Sequence, residues 1–200
     1  MRLDADRLHL SPSDVTAFLA CEHLTTLSLA HARGEIDRPD VENEQAELIF
    51  RKGLEHERAY LEHLRADGNT VLEIPDPEGD YDAAARATVD AIRASEADVI
   101  YQGVFAHEHW RGVADFLLRR ADGVYEALDT KLARTAKPAY ILQLLFYSEE
   151  LARIQGSADR KIHVLLGSGE QATFDPREFA AYYRRVRSRL EGFVADPPRT

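Results

Sequence analysis

Two short apolar runs flank a polar turn in the middle of the chain. Val113 to Leu118 precede Ala121-Asp122-Gly123, and Val124 to Leu128 follow it. Runs of this length bounded by turn residues predict two strands of a hairpin. An acid, Asp115, is expected at the end of the first run, and Asp129-Thr130-Lys131 closes the second. A denser apolar stretch over 141–147 predicts a buried helix. Toward the N-terminus, Ser11-Pro12-Ser13-Asp14 reads as a helix start. Val15, Phe18, Leu19, Leu24, Leu27 and Leu29 then predict the buried face of one helix that Gly34 ends. Leu48, Ile49, Leu54, Tyr60, Leu61 and Leu64 give a second helix, over 43–66, an apolar stripe. Asp67-Gly68 closes it.

The remaining elements are shorter. A strand is expected over 69–74, a loop over 75–79, an alanine-rich helix over 83–94 and a strand over 98–105, with a turn at 106–108. Beyond the central helix come a loop at 155–159, a strand over 161–166, a turn at 167–170 and a strand over 171–174. Asp175-Pro176 starts a last helix carrying Phe179, Tyr183, Val186 and Leu190. Helices and short strands alternate, so the fold class is α/β, with a central mixed sheet flanked by helices. Residues 1–68 read as a helical N-terminal region and 69–195 as the α/β core of a single domain.

Composition narrows the setting. Two hundred residues suffice for one domain with a substantial core. No apolar run approaches the ~20 residues of a membrane span, and acidic residues precede any apolar stretch at the N-terminus, so no signal peptide is expected. One cysteine excludes an internal disulfide. These features predict a cytoplasmic protein without a membrane partner. The net charge of −10 disfavours nucleic acid at first sight. The charge is uneven, however. Residues 1–100 hold 10 Lys+Arg against 22 Asp+Glu, and residues 101–200 hold 15 against 13. Nucleic-acid affinity follows local phosphate contacts rather than the global sum. Arg119, Arg134 and Lys137 lie near the central motif and are the candidate DNA contacts.

The hairpin brings together groups that suit phosphodiester cleavage. That reaction needs a nucleophilic water, neutralised charge at phosphorus and a stabilised leaving oxygen. A hard divalent cation, Mg²⁺ or Mn²⁺, serves all three and prefers carboxylates, carbonyls and water. Asp115 and Asp129 are the candidate carboxylates, and the backbone carbonyl of Thr130 could complete the shell. Strand alternation puts Asp129 and Lys131 on one face. Only four of the 25 basic residues are lysine, so Lys131 stands against an arginine background. A compact ammonium can exchange a proton where a guanidinium cannot. The plainer alternative is a surface ion pair. Gln143 and Tyr147, one turn apart on a largely apolar helix, need polar partners. Those partners are either the site or ordinary core groups.

Asp115, Asp129-x-Lys131 and Gln143-x-x-x-Tyr147, in that order, resemble the PD-(D/E)xK nuclease superfamily. The closest similarity is to its RecB-type branch, among nucleases related to the CRISPR-adaptation exonucleases. That branch also carries an upstream Gly-x-x-His, which Gly53-Leu54-Glu55-His56 matches. The resemblance runs from about Ser11 to the last helix. It implies a restriction-endonuclease-like core and a metal-dependent deoxyribonuclease, exonuclease ahead of endonuclease. The implied substrate is single-stranded DNA or DNA ends, in repair, recombination or CRISPR-type processing. His56, Asp115 and Asp129 would hold the metal, and Lys131, Gln143 and Tyr147 would complete the catalytic set. Some members bind an iron–sulfur cluster through one cysteine near the N-terminus and three beyond the core. Here Cys21 stands alone, so no cluster is expected in this chain, and Cys21 otherwise reads as a small buried residue. The resemblance also implies the N-terminal part of a longer protein, with a C-terminal domain or a helicase-type partner. The alternative is a nuclease-like module that binds nucleic acid or a protein without cutting.

Overall fold

A computed structural model describes residues 1–4, 7–39, 43–77, 79–157 and 160–197. Between Gly34 and the helix expected from 43, the sequence reads as an acidic connection over 39–44; it, the tip of the 75–79 loop, part of the 155–159 loop and the final residues 198–200 lie wholly or partly outside them. The order is β1 (Arg2–Asp4), β2 (Arg7–His9), α1 (Pro12–Ala20), α2 (Glu22–Ala32), α3 (Glu44–Ala66), β3 (Val71–Glu73) and α4 (Tyr81–Ala94). Then follow β4 (Val99–His107), β5 (Trp110–Arg119), β6 (Tyr125–Lys131), α5 (Pro138–Gln155), β7 (Ile162–Leu166), β8 (Gln171–Phe174) and α6 (Pro176–Ala195). The protein is α/β. Strands β3 to β8 lie in sequence order in one mixed sheet. The β3·β4 and β6·β7 pairs are parallel, and the others antiparallel. Each parallel pair is joined by a crossover helix, α4 or α5, as parallel pairing requires.

Adjacent strand residues divide between two cores. Val99, Phe116, Leu128 and Leu165 pack with Leu61, Tyr60 and Leu64 of α3. Their neighbours Ile100, Leu117, Ala127 and Val164 pack with α4 and α5 residues such as Ile92, Leu144 and Leu151. Helices therefore cover both faces of a sheet whose central strands are apolar on both sides. This architecture is consistent with a restriction-endonuclease-like core.

The N-terminal region differs from its sequence reading in three ways. The single helix over 12–33 is two helices. Cys21 is extended (φ −164°, ψ 110°) and caps both. The break resets the buried face, so Val15, Phe18 and Leu29 are buried while Leu19, Leu24 and Leu27 are exposed. Cys21 is itself exposed rather than packed in a core. The stripe on α3 is only half used: Tyr60, Leu61 and Leu64 reach the sheet, but Leu48, Ile49, Phe50 and Leu54 are exposed. Finally, β1 and β2 form a small antiparallel hairpin. Three-residue strands rich in charge carry no periodic signal.

Candidate active site

Strand β5 runs through Asp115 rather than ending there. Its ladder with β6 extends from Arg119↔Tyr125 only to Phe116↔Leu128. Its ladder with β4 pairs Tyr101↔Phe116 and Gly103↔Ala114 but leaves Gln102 and Asp115 unpaired between them. The sheet thus forks at Asp115, and the backbone there has no strand partner on the β6 side. The Thr130 amide donates instead to Asp115 Oδ2 at 2.8 Å, and the Thr130 hydroxyl donates to the same oxygen at 3.0 Å. These bonds hold the Asp115 carboxylate across the fork. The Thr130 side chain, expected to point away, is thereby part of the site.

Asp129 and Lys131 share a face, as strand alternation requires. Lys131 Nζ lies 2.5 Å from Asp129 Oδ2. Asp129 Oδ2 is itself buried, so the ammonium beside it is the charge that meets it. Burial is the largest cause that raises the Asp129 carboxyl, to about 7; the Asp115 charge adds to it, while the Lys131 charge and hydrogen bond pull the other way. Burial by itself would depress Lys131, but the Asp129 and Asp115 carboxylates overcome it and raise its pKa. The ion pair therefore holds Lys131 charged more firmly than it holds Asp129 ionised. The Lys131 ammonium also sits 5.5 Å from the centre of the Tyr140 ring.

Asp115, Thr130 and Lys131 open into a cleft of about 590 Å³ between α3 and the start of α5. Glu57, Gly53, Leu54 and Phe50 form the α3 wall, and Lys137 and Tyr140 the opposite one. Asp129 is not in the lining and lies behind Lys131. Glu57 is the residue that the sequence reading missed. It is buried, and burial together with the Asp115 charge raises its pKa. Gln102 donates its side-chain amide to Glu57 Oε1. Gln102 takes a left-handed backbone (φ 56°) opposite Asp115, the kind of local strain that collects at functional sites.

The other sequence candidates separate. His56 is half-buried and lines a different depression with Tyr60, His63, Leu165 and Gln171. Its Nε2 is buried and hydrogen-bonds none of the described residues. Glu57, the next residue, lines Asp115's cleft with Gly53, while His56 does not. Tyr147 is buried and donates its hydroxyl to the Val113 carbonyl at 2.6 Å. Burial, with Asp129 and Asp115 nearby, keeps its pKa well above the usual tyrosine value. It braces β5 two residues before Asp115 and does not line the cleft. Gln143 is half-buried and hydrogen-bonds none of the described residues.

Of the three cations proposed for DNA, Lys137 lines the cleft. Arg134 is exposed in the loop after β6. Arg119 lies at the far end of the hairpin, paired with Asp98 at 2.6 Å and bonded to the Ser95 carbonyl at 2.9 Å. Its strand partner Tyr125 is six residues from Lys131, roughly 20 Å along the strand. The loop carrying Arg134 and Lys137 is pinned at Gly167, whose amide donates to the Ala133 carbonyl at 3.1 Å. A Cβ at Gly167 would lie 2.5 Å from the Leu132 carbonyl oxygen.

Among the described residues no three His, Cys, Asp or Glu side chains converge closely enough to hold a metal ion as a group. Mg²⁺ asks for less: one or two carboxylates, with carbonyls and retained waters supplying the rest. The Asp115 carboxylate, which lines the cleft, fits that requirement; Asp129 Oδ2 is buried with the Lys131 ammonium 2.5 Å away, so that ammonium must give way before the oxygen could meet an ion. Comparison with known protein families and with curated proteins finds no match to this chain.

Proposed function

We propose that the protein is a divalent-metal-dependent nuclease that hydrolyses DNA phosphodiester bonds, of the PD-(D/E)xK type that its motifs resemble. One observation supports this above the rest: Asp115, Asp129 and Lys131 meet where β5 and β6 part, beside a cleft open to solvent. Asp115 and Asp129, with the Thr130 carbonyl, would hold Mg²⁺ or Mn²⁺. The ion, when bound, supplies Lewis-acid activation of a water and neutralises phosphate charge.

The chain's own groups do the rest. Thr130 fixes the Asp115 carboxylate through two donors. Lys131, held charged by its acidic neighbours, offers a cation and a donor rather than a base. It orients the attacking water and offsets charge on the phosphate. Tyr147 braces β5 from below, and Gln143 has no role that a contact supports. Lys137 and Arg134 offer phosphate contacts at the rim; Arg119 is too distant and already paired. His56 stays a metal ligand in this reading only through the motif it matches. An exonuclease acting on single strands or ends, in repair, recombination or CRISPR-type processing, and a cytoplasmic location complete the proposal.

A second reading takes its support from Lys131 itself. Its ammonium lies where a metal would meet Asp129, which suits a nuclease-like module that binds DNA or a protein without cutting. Metal-dependent cleavage, with Lys131→Ala as control, separates the two. Cutting that requires Mn²⁺ and Lys131 establishes the nuclease. No cutting and no metal binding selects the module.

A further inference from the structure

The first half of α3 overhangs the sheet and leaves an apolar surface on the rim of the cleft. Phe50 is 70% exposed and Ile49 57%. Both line the same cleft as Asp115 and Lys131, together with Gly53 and Leu54. This ring, at the exposed end of the α3 stripe, makes no ring contact with the described residues.

Gly53 gives a second, independent observation. A glycine within a helix is unfavourable against alanine and usually repays that cost by letting another backbone approach. Among the described residues, nothing outside the helix's own backbone lies within 4 Å of a Cβ built at Gly53. The fold therefore does not require the glycine, yet it faces the cleft one turn from Phe50 and one turn from Glu57. The absent side chain leaves a notch that points at the candidate catalytic groups. Lys137 and Lys131 line the same cleft.

We propose that Phe50 and the Gly53 notch form a base-stacking subsite for an unpaired nucleotide. The strand would cross α3 at Gly53, with a base on the Phe50 ring and the adjoining phosphate facing Lys137. The chemistry fits a nucleic-acid strand better than a protein partner: an exposed ring on the rim of a cleft that two lysines line is what a single strand uses. Stacking on an aromatic ring is tolerant of sequence, so the subsite selects unpaired over paired nucleotides and not one base over another. The inference rests on the nuclease reading and names how its substrate enters.

The test is fluorescence anisotropy with a short labelled oligothymidylate and with the same strand built from abasic nucleotides, in Ca²⁺ to prevent cutting. The wild-type chain should bind the thymidylate about tenfold more tightly than the abasic strand, the effect expected of one stacked base. Phe50→Ala should erase that difference. Gly53→Leu should weaken both strands while raising the melting temperature, since leucine is the better helix former; a merely structural role for Gly53 would lower it. If Phe50→Ala keeps the preference for bases, or Gly53→Leu binds as wild type does, the subsite is overturned and the exposed face passes to a protein partner. If in that case Lys131→Ala still abolishes Mn²⁺-dependent cutting, the nuclease reading stands without it. A wild-type chain that binds neither strand overturns the subsite and, with no cutting, the nuclease reading as well.

Discussion

Lys131 Nζ lies 2.5 Å from Asp129 Oδ2, two residues back on the same strand. A strand places residues two apart on one face, and the long lysine side chain reaches back to the carboxylate, their attraction working against the cost of burying both charges. Here the carboxylate is buried and Asp115 repels it, so Asp129 is the weaker partner of its own ion pair.

That imbalance predicts a pH dependence in the metal-free protein. The Asp129 carboxyl loses its proton near pH 4 when unfolded and at about 7 when folded. Between those values the folded state binds the additional proton, so stability falls as pH rises from about 4 to about 7 and levels off above. The change is on the order of a few kcal/mol. Chemical denaturation in EDTA across that range measures it. Asp129→Asn should flatten the slope, and Mg²⁺ should restore more stability at pH 8 than at pH 5.

Tyr147→Phe tests whether the tyrosine is a brace or a participant. The substitution removes the Tyr147 donor from the partly buried Val113 carbonyl, a cost of about 1 kcal/mol. A lower melting temperature with an unchanged pH profile of cleavage identifies the brace. An altered profile without loss of stability would place the hydroxyl in the chemistry.

Much of the architecture is legible in the pattern. The two apolar runs around Ala121-Asp122-Gly123 are β5 and β6, because short runs between turn residues have few other solutions. The apolar helix over 141–147 is α5. The fork at Asp115 is not legible: it depends on where the β5·β6 ladder stops, and no local signal marks that point. The choice between His56 and Glu57 is equally hidden. They are neighbours on α3, about 100° apart around its axis. The packing of Tyr60, Leu61 and Leu64 on the sheet decides which one faces Asp115. Cys21 shows the same limit, since an apolar pattern that continues across it cannot reveal a helix break.

Arg119 and Lys137, grouped by sequence, should behave oppositely. Arg119→Ala breaks the bonds to Asp98 and the Ser95 carbonyl. It should change stability little, as exposed pairs contribute little, and leave DNA affinity unchanged. Lys137→Ala should leave the melting temperature in place and weaken DNA binding, with a shallower salt dependence by about one phosphate contact. Thermal melts and binding titrations at several salt concentrations read both.

The most direct measurement is incubation of the chain with labelled single- and double-stranded DNA, in Mn²⁺ or in EDTA, beside Lys131→Ala. The account predicts cutting in Mn²⁺ alone, lost in the Lys131→Ala variant while Mn²⁺ still binds. Cutting that survives in EDTA, or in the variant, would contradict it.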